Sequence, residues 1–262
     1  MQLDLSGKKA FVCGSSKGIG RAVAVSLARS GAGVTLIARN ESALKQVKAE
    51  LCTKSGQRHD VLVADFDDPD RLTQVVSDNL SDSGPVEIVI NNTGGPAPGP
   101  AHLASVDSFV SAFRAHLICS QLLVSQCLPG MQKAGWGRII NMISTSVKQP
   151  IMGLGVSNTI RGAVASWAKT LAGELAPFGI TVNNVLPGAT ETERLAQIIE
   201  NKSNKLKIST EDVVKKELAA IPAGRFAKPE DIAAAVTFLA SPQASYINGI
   251  NLPVDGGRTS SL

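Results

Sequence analysis

The sequence predicts an α/β fold, a doubly wound parallel sheet of seven strands carrying helices on both faces. Three observations carry this. Short β-branched runs alternate with stretches of helical periodicity along the whole chain. The runs are apolar at consecutive positions, as at Ile88-Val89-Ile90, which suits strands covered on both faces. The first run leads straight into a glycine-rich turn and then a helical pattern.

In chain order, the expected strands are Lys9–Cys13, Gly33–Ala38, Asp60–Ala64, Val86–Asn91, Arg138–Met142, Ile180–Leu186 and Ile250–Val254. Six helices are expected between and after them. Leu44, Val47 and Leu51 mark one, and Leu72, Val75 and Leu80 another. Ile160, Val164, Trp167, Leu171 and Leu175 form an apolar stripe, and Ile232, Val236 and Leu239 close the series. Pro and Gly cluster only at Gly94–Pro100 and Pro187–Gly188, neither of which resembles a linker. One domain is therefore expected over residues 1–262.

Composition sets limits on function. The 262 residues are 44% hydrophobic and 18% charged, enough for a substantial core and too apolar for disorder. The net charge of +4 comes from interspersed residues, so no nucleic-acid partner is expected. No run of 18 apolar residues and no basic leader is seen, so a soluble cytoplasmic protein without a membrane partner is expected. Cys13, Cys52, Cys119 and Cys127 lack metal-ligand spacing and are read as reduced thiols, with no metal.

Residues 190–228 break the alternation. They hold a helical pattern near Glu191–Glu200, a polar connector Asn201–Lys207, and a capping box at Ser209–Asp212 ahead of a helix to Ala220. Following a strand's carboxyl end, this segment is expected to form a lid over a ligand. Leu195, Ile198, Ile199, Val213, Val214 and Leu218 would face the cleft. Lys202, Lys205 and Lys207 on the connector would draw an anionic substrate tail.

The turn after the first strand reads Gly14-Ser15-Ser16-Lys17-Gly18-Ile19-Gly20. Its glycines let the backbone approach a pyrophosphate, and the next helix aims its free amides at the charge. The second strand ends in Ala38, then Arg39, with no carboxylate to accept from a ribose 2'-hydroxyl. Lys17 and Arg39 instead suit a 2'-phosphate, so NADP(H) is favoured over NAD(H). Asp65, with Phe66 beside it, follows the third strand and suits the adenine amino group. Asn91-Asn92-Thr93-Gly94 would line the ribose.

These residues, with Pro187, Gly188, Thr192 and the terminal Val254-Asp255-Gly256-Gly257, resemble the short-chain dehydrogenase/reductase family over residues 3–257. Within it the chain is most similar to the 3-oxoacyl-(acyl carrier protein) reductase-like branch. The resemblance implies a Rossmann sheet in the order 3-2-1-4-5-6-7, a nicotinamide cofactor, and a homotetramer, with a homodimer as alternative. It assigns Asn92 and Gly94 to the adenosine side and Pro187 to Thr192 to the nicotinamide amide. The substrate it implies is a small carbonyl or alcohol compound, with 3-oxoacyl thioesters the first guess.

The catalytic pattern departs from the family. Of its asparagine, serine, tyrosine and lysine, only the serine is retained, as Ser144. Ser157 stands at the tyrosine's position, Arg161 at the lysine's, and His116 at the asparagine's. The lone tyrosine, Tyr246, belongs to a C-terminal turn. Ser144, Ser157 and Arg161 form a candidate oxyanion-stabilising cluster, since arginine holds an anion but relays no proton, and Arg161 is alternatively expected to bind the nicotinamide ribose. His116 is the candidate proton donor, since histidine has an ordinary pKa of ~6.5. His102, in the proline-rich loop, is a weaker candidate, and His59 is expected to take no part.

Overall fold

The computed structural model describes residues 3–261. Its strands are β1 (Lys9–Cys13), β2 (Gly33–Ala38), β3 (Asp60–Val63), β4 (Ile88–Asn91), β5 (Gly137–Met142), β6 (Ile180–Pro187) and β7 (Asn251–Val254). They form one sheet in the order β3-β2-β1-β4-β5-β6-β7, with every pair parallel. Val12 of β1 stands beside Leu36 of β2 and Ile90 of β4. The chain leaves β1 toward opposite edges of the sheet, which opens a crevice at the strand ends.

Nine α-helices occur among the described residues, not six. They are α1 (Gly18–Arg29), α2 (Glu41–Glu50), α3 (Pro69–Ser83), α4 (Val106–Phe113), α5 (Cys119–Ala134), α6 (Gly155–Leu175), α7 (Glu193–Leu206), α8 (Thr210–Ala219) and α9 (Pro229–Ala240). Side-chain caps start several of them. Asn40 accepts from the Ala43 amide at 2.9 Å, and Asp68 from Arg71 at 3.0 Å with Pro69 opening α3.

Each face of the sheet has its own core. On one, Val23 and Leu27 of α1, Leu44 of α2 and Ile232 and Val236 of α9 pack on Val12, Leu36 and Ile90. On the other, Leu72 of α3, Leu123 and Met131 of α5 and Leu175 of α6 pack on Phe11, Val89, Ile139 and Val182. Fully burying one such side chain contributes ~1.5–3 kcal/mol, which explains why the consecutive apolar positions fix these strands so firmly.

Between α4 and α5, Arg114–Ile118 form a π-helical turn. The resulting rod, Val106–Ala134, is apolar and long enough by composition to cross a membrane, which modifies the expectation drawn from apolar runs. Here it is a domain helix. Cys119, Leu123, Val124 and Met131 are buried against the sheet, while Val110, Phe113 and Ile118 remain exposed.

The lid segment also differs from expectation. Helix α7 runs to Leu206 and absorbs most of the polar connector, leaving only Lys207–Ser209 between the helices. Lys202 and Lys205 are therefore helical, and Lys207 caps α7 in the left-handed region. Lys202 is not free for a substrate tail, because it pairs with Glu217 of α8, which also accepts from Arg258 at 2.9 Å. Ser209 caps α8, its hydroxyl accepting from the Asp212 amide at 3.1 Å.

Candidate active site

The glycine loop is shaped by contacts that exclude side chains. Gly14 and Gly18 have φ of 58° and 55°, a region that glycine enters without strain. A Cβ on Gly14 would stand 2.7 Å from Asn92 Nδ2, and one on Gly20 would collide with the Gly14 carbonyl oxygen. Ser15 is fully buried and its hydroxyl accepts from the Ile37 amide at 3.0 Å, tying the loop to β2. Ser16 and Ile19 are half-buried beside it. Lys17 occupies the N-cap of α1 without a side-chain cap, and no acid lies in the first turn. The opening amides of α1 thus face the crevice with a positive field. This cradle fits a dinucleotide pyrophosphate.

Asn92 shows how β4 supports the loop. Its Nδ2 donates to the Cys13 carbonyl at 3.1 Å and the Gly14 carbonyl at 3.4 Å. Thr93 is half-buried and Gly94 exposed along the crevice. Across it, a Cβ on Gly18 would meet Thr192 Cγ2 at 3.3 Å, so the residue capping α7 lies against the loop. Gly188 donates to the Val254 carbonyl at 2.9 Å, following Pro187 at the end of β6. The structure thus brings Gly14, Gly18, Gly20, Asn92 and Thr192 together.

Both candidate phosphate cations already face carboxylates. Lys17 pairs with Glu193 in the first turn of α7, and Arg39 Nη1 lies 3.7 Å from Asp65 Oδ2. All four side chains are largely open to water. Exposed pairs contribute only ~0–1 kcal/mol, so a phosphate can exchange for either carboxylate at small cost. Asp65 Oδ1 also accepts from the Asp67 amide, and the Phe66 carbonyl accepts from Cys119 Sγ.

On the reacting side, Ser144 follows β5 and caps a short 3-10 turn. Its hydroxyl accepts from the Ser146 amide at 3.1 Å, which leaves its O–H to donate elsewhere. Ser157 is half-buried at the start of α6. One turn later Arg161 is 8% exposed, donating Nη1 to the Met142 carbonyl at 2.8 Å, while its Nε has no partner. Burial pushes its pKa down to about 10, still a cation near neutrality. The hydroxyl of Ser146, buried and without a partner, is a polar group that the sequence did not single out.

His116 sits inside the π-helical turn at 4% exposure. Burial first, and the Arg161 charge second, push its pKa down to about 3. This corrects the expected role. The ring is neutral near pH 7 and holds no imidazolium proton to give. His102 is exposed on the proline-rich loop, and Tyr246 is fully exposed. His59 accepts from the Val34 amide at 3.1 Å and joins the Cys52 carbonyl, a structural pair.

Helix α7 begins against the same cleft. Besides the Lys17–Glu193 pair, Arg194 Nη2 donates to the Pro96 carbonyl at 3.0 Å. Val213 is buried, whereas Leu195, Ile198, Ile199, Val214 and Leu218 are half-buried.

A crevice at the ends of a parallel sheet, a glycine cradle and a flanking serine define the scaffold of a nicotinamide-dependent oxidoreductase. Residues 14–259 match the family model described as enoyl-(acyl carrier protein) reductase. The chain belongs to the short-chain dehydrogenase/reductase family, in its 3-oxoacyl-(acyl carrier protein) reductase-like branch. It is 29% identical to the NADPH-dependent reductase BacG of Bacillus subtilis over 98% of this chain and 100% of the relative. It is 31% identical to the 3-oxoacyl-[acyl-carrier-protein] reductase FabG of Aquifex aeolicus, covering 98% and 99%. The crystal structure of L-sorbose reductase from Gluconobacter frateurii, complexed with NADPH and L-sorbose, superposes with a TM-score of 0.92 at 29% identity over 100% of both chains.

Proposed function

We propose that this protein is an NADP(H)-dependent oxidoreductase of a carbonyl or alcohol substrate, working without the family's tyrosine and lysine. The observation that carries the proposal is the intact cradle of Gly14, Gly18 and Gly20 beside Ser144, whose hydroxyl hydrogen is left free. NADP(H) is preferred to NAD(H) because Lys17 and Arg39 are cations whose exposed carboxylate partners, Glu193 and Asp65, a 2'-phosphate would replace at small cost. The NADPH named for BacG and seen with L-sorbose reductase supports that choice.

When bound, the nicotinamide supplies or accepts a hydride. The chain's own residues would deal with the charge on the substrate oxygen. Ser144 donates a hydrogen bond to it, Ser157 stands beside it, and the Arg161 cation stabilises the developing anion. His116, neutral, contributes hydrogen bonding rather than a proton. In carbonyl reduction the proton then comes from water, and in alcohol oxidation the hydroxyl proton passes to water, since neither His116 nor Arg161 titrates near neutrality. Helices α7 and α8 would close over the substrate as a lid. The relatives make 3-oxoacyl thioesters the first substrates to test.

A homotetramer is proposed, with a homodimer as alternative, and a cytoplasmic location. An apolar groove of about 430 Å³ lined by Phe109, Val110, Phe113, Ile118 and Ile160 supports subunit contact along α4 and α6.

A second reading keeps the scaffold but not the reaction, as an NADP-binding regulatory protein. The depressed His116 pKa and the absent acid favour it. Ser157→Tyr combined with Arg161→Lys separates the two, assayed with NADPH and a carbonyl panel. Activity present in the native protein supports the first reading. Activity only in the double variant supports the second.

A further inference from the structure

Four neighbouring strands carry asparagines in one register, at the end of β4, near the end of β5, in the middle of β6 and at the start of β7. Asn91 of β4 lies beside Asn141 of β5, Asn141 beside Asn184 of β6, and Asn184 beside Asn251 of β7. Their side chains join in one direction. Asn91 Nδ2 donates to Asn141 Oδ1 at 2.8 Å, Asn141 Nδ2 to Asn184 Oδ1 at 2.9 Å, and Asn184 Nδ2 to Asn251 Oδ1 at 2.8 Å. Asn91, Asn141 and Asn184 are 6%, 1% and 3% exposed, and Asn91 Oδ1 at the end of the row has no partner.

The sheet does not need this row for its core. Buried parallel strands are ordinarily filled with Val, Ile and Leu, as at Ile88–Ile90 of β4 and at Ile139 and Ile140 of β5. Four amides in that place must each find a partner, and one atom fails to. What they add is specificity of alignment. An amide row closes only when the four strands stand level, whereas aliphatic side chains tolerate small displacements.

The position of the row matters because each of its strands reaches the cleft one to four residues further on. Asn91 is followed by Asn92, which holds the glycine loop. Asn141 is followed by Met142, whose carbonyl holds Arg161, and then by Ser144. Asn184 leads to Pro187–Gly188, and Asn251 to Asp255, against whose Cα a Gly188 Cβ would stand at 2.7 Å.

We infer that the Asn91–Asn141–Asn184–Asn251 row is a positioning device that sets the adenosine side of the cleft, on β1 and β4, level with the nicotinamide side, on β5 and β6. Asn141 and Asn184 are its central positioning residues. The inference rests on the cofactor reading above, and it predicts different behaviour for ligands that span both sides and ligands that occupy one.

The test compares NADPH with adenosine 2',5'-bisphosphate, which reaches only the adenosine side, by calorimetric titration. Asn184→Val breaks two bonds of the row. Asn251→Ala breaks only the outermost and serves if Asn184→Val does not fold. Val182→Ala, one full pleat earlier in β6, is the control for lost stability alone. Breaking the row should weaken NADPH about tenfold, the scale of one buried hydrogen bond, with less than about twofold change for the bisphosphate. The control should change neither ligand selectively. Equal weakening of both ligands, or of neither, would overturn the positioning role while leaving the cofactor reading intact. If the native protein bound neither ligand, the cofactor reading would fall and this inference with it.

Discussion

Lys17 of the glycine loop and Glu193 in the first turn of α7 form an ion pair across the crevice. The two residues are 176 positions apart in the chain. The pair links the segment that would meet phosphate to the segment that would cover the substrate. A 2'-phosphate must share or replace Glu193 to reach Lys17.

Glu193→Gln should therefore tighten NADPH. The pair is exposed, so the gain is limited to about fivefold or less, matching ~0–1 kcal/mol. NADH, lacking the phosphate, should be unaffected. Titration of both cofactors at low and moderate salt checks this, and the gain should shrink as salt rises.

Arg39→Ala should act in the opposite direction. A guanidinium–phosphate contact is a charge-assisted bond, so NADPH should weaken about tenfold or more while NADH changes little. Equal losses for both cofactors would show that Arg39 stacks on adenine rather than reading the phosphate.

His116 gives a pH prediction with a defined sign. Its pKa is pushed from an ordinary 6.5 down to about 3 in the folded protein, so the unfolded chain binds more protons between those values. Stability from the neutral buried ring is fully present above pH ~6.5 and drains away as pH falls toward 3. Urea unfolding of the native protein should lose roughly 2 kcal/mol more than His116→Asn between pH 7 and pH 4.5. Parallel acid limbs in the two proteins would contradict the depressed pKa.

The same shifts shape turnover. With His116 at about 3 and Arg161 at about 10, neither titrates between pH 5 and 9. The rate constant for reduction should be nearly flat across that interval. A bell-shaped profile centred near neutrality would point to a proton donor outside the proposed set.

The centre of the sheet was legible because β1, β4, β5 and β6 are buried on both faces, and a run such as Ile88–Ile90 carries the signal alone. The glycine loop was legible because only glycine fits Gly14 and Gly20. What escaped depends on contacts between distant segments. Asn201–Leu206 has the composition of a connector, and it becomes helical where Lys202 meets Glu217 on α8. The carboxylates facing Lys17 and Arg39 come from other elements, so the sequence showed the cations without their partners. The π-helical turn left no mark in periodicity, and without it His116 could be mistaken for a solvent-linked acid. The asparagines were visible singly, but their row exists only once four strand registers are known.

Ser144 is proposed to serve a reaction in this cleft without a tyrosine. The most direct measurement follows NADPH consumption with a panel of ketones and 3-oxoacyl thioesters, in native protein and in Ser144→Ala. The account predicts turnover of at least one substrate class by the native protein. Ser144→Ala should lose about a hundredfold or more, the scale of a lost oxyanion donor, with NADPH affinity unchanged. Tight NADPH binding with no turnover across the panel, or turnover indifferent to Ser144→Ala, would contradict it.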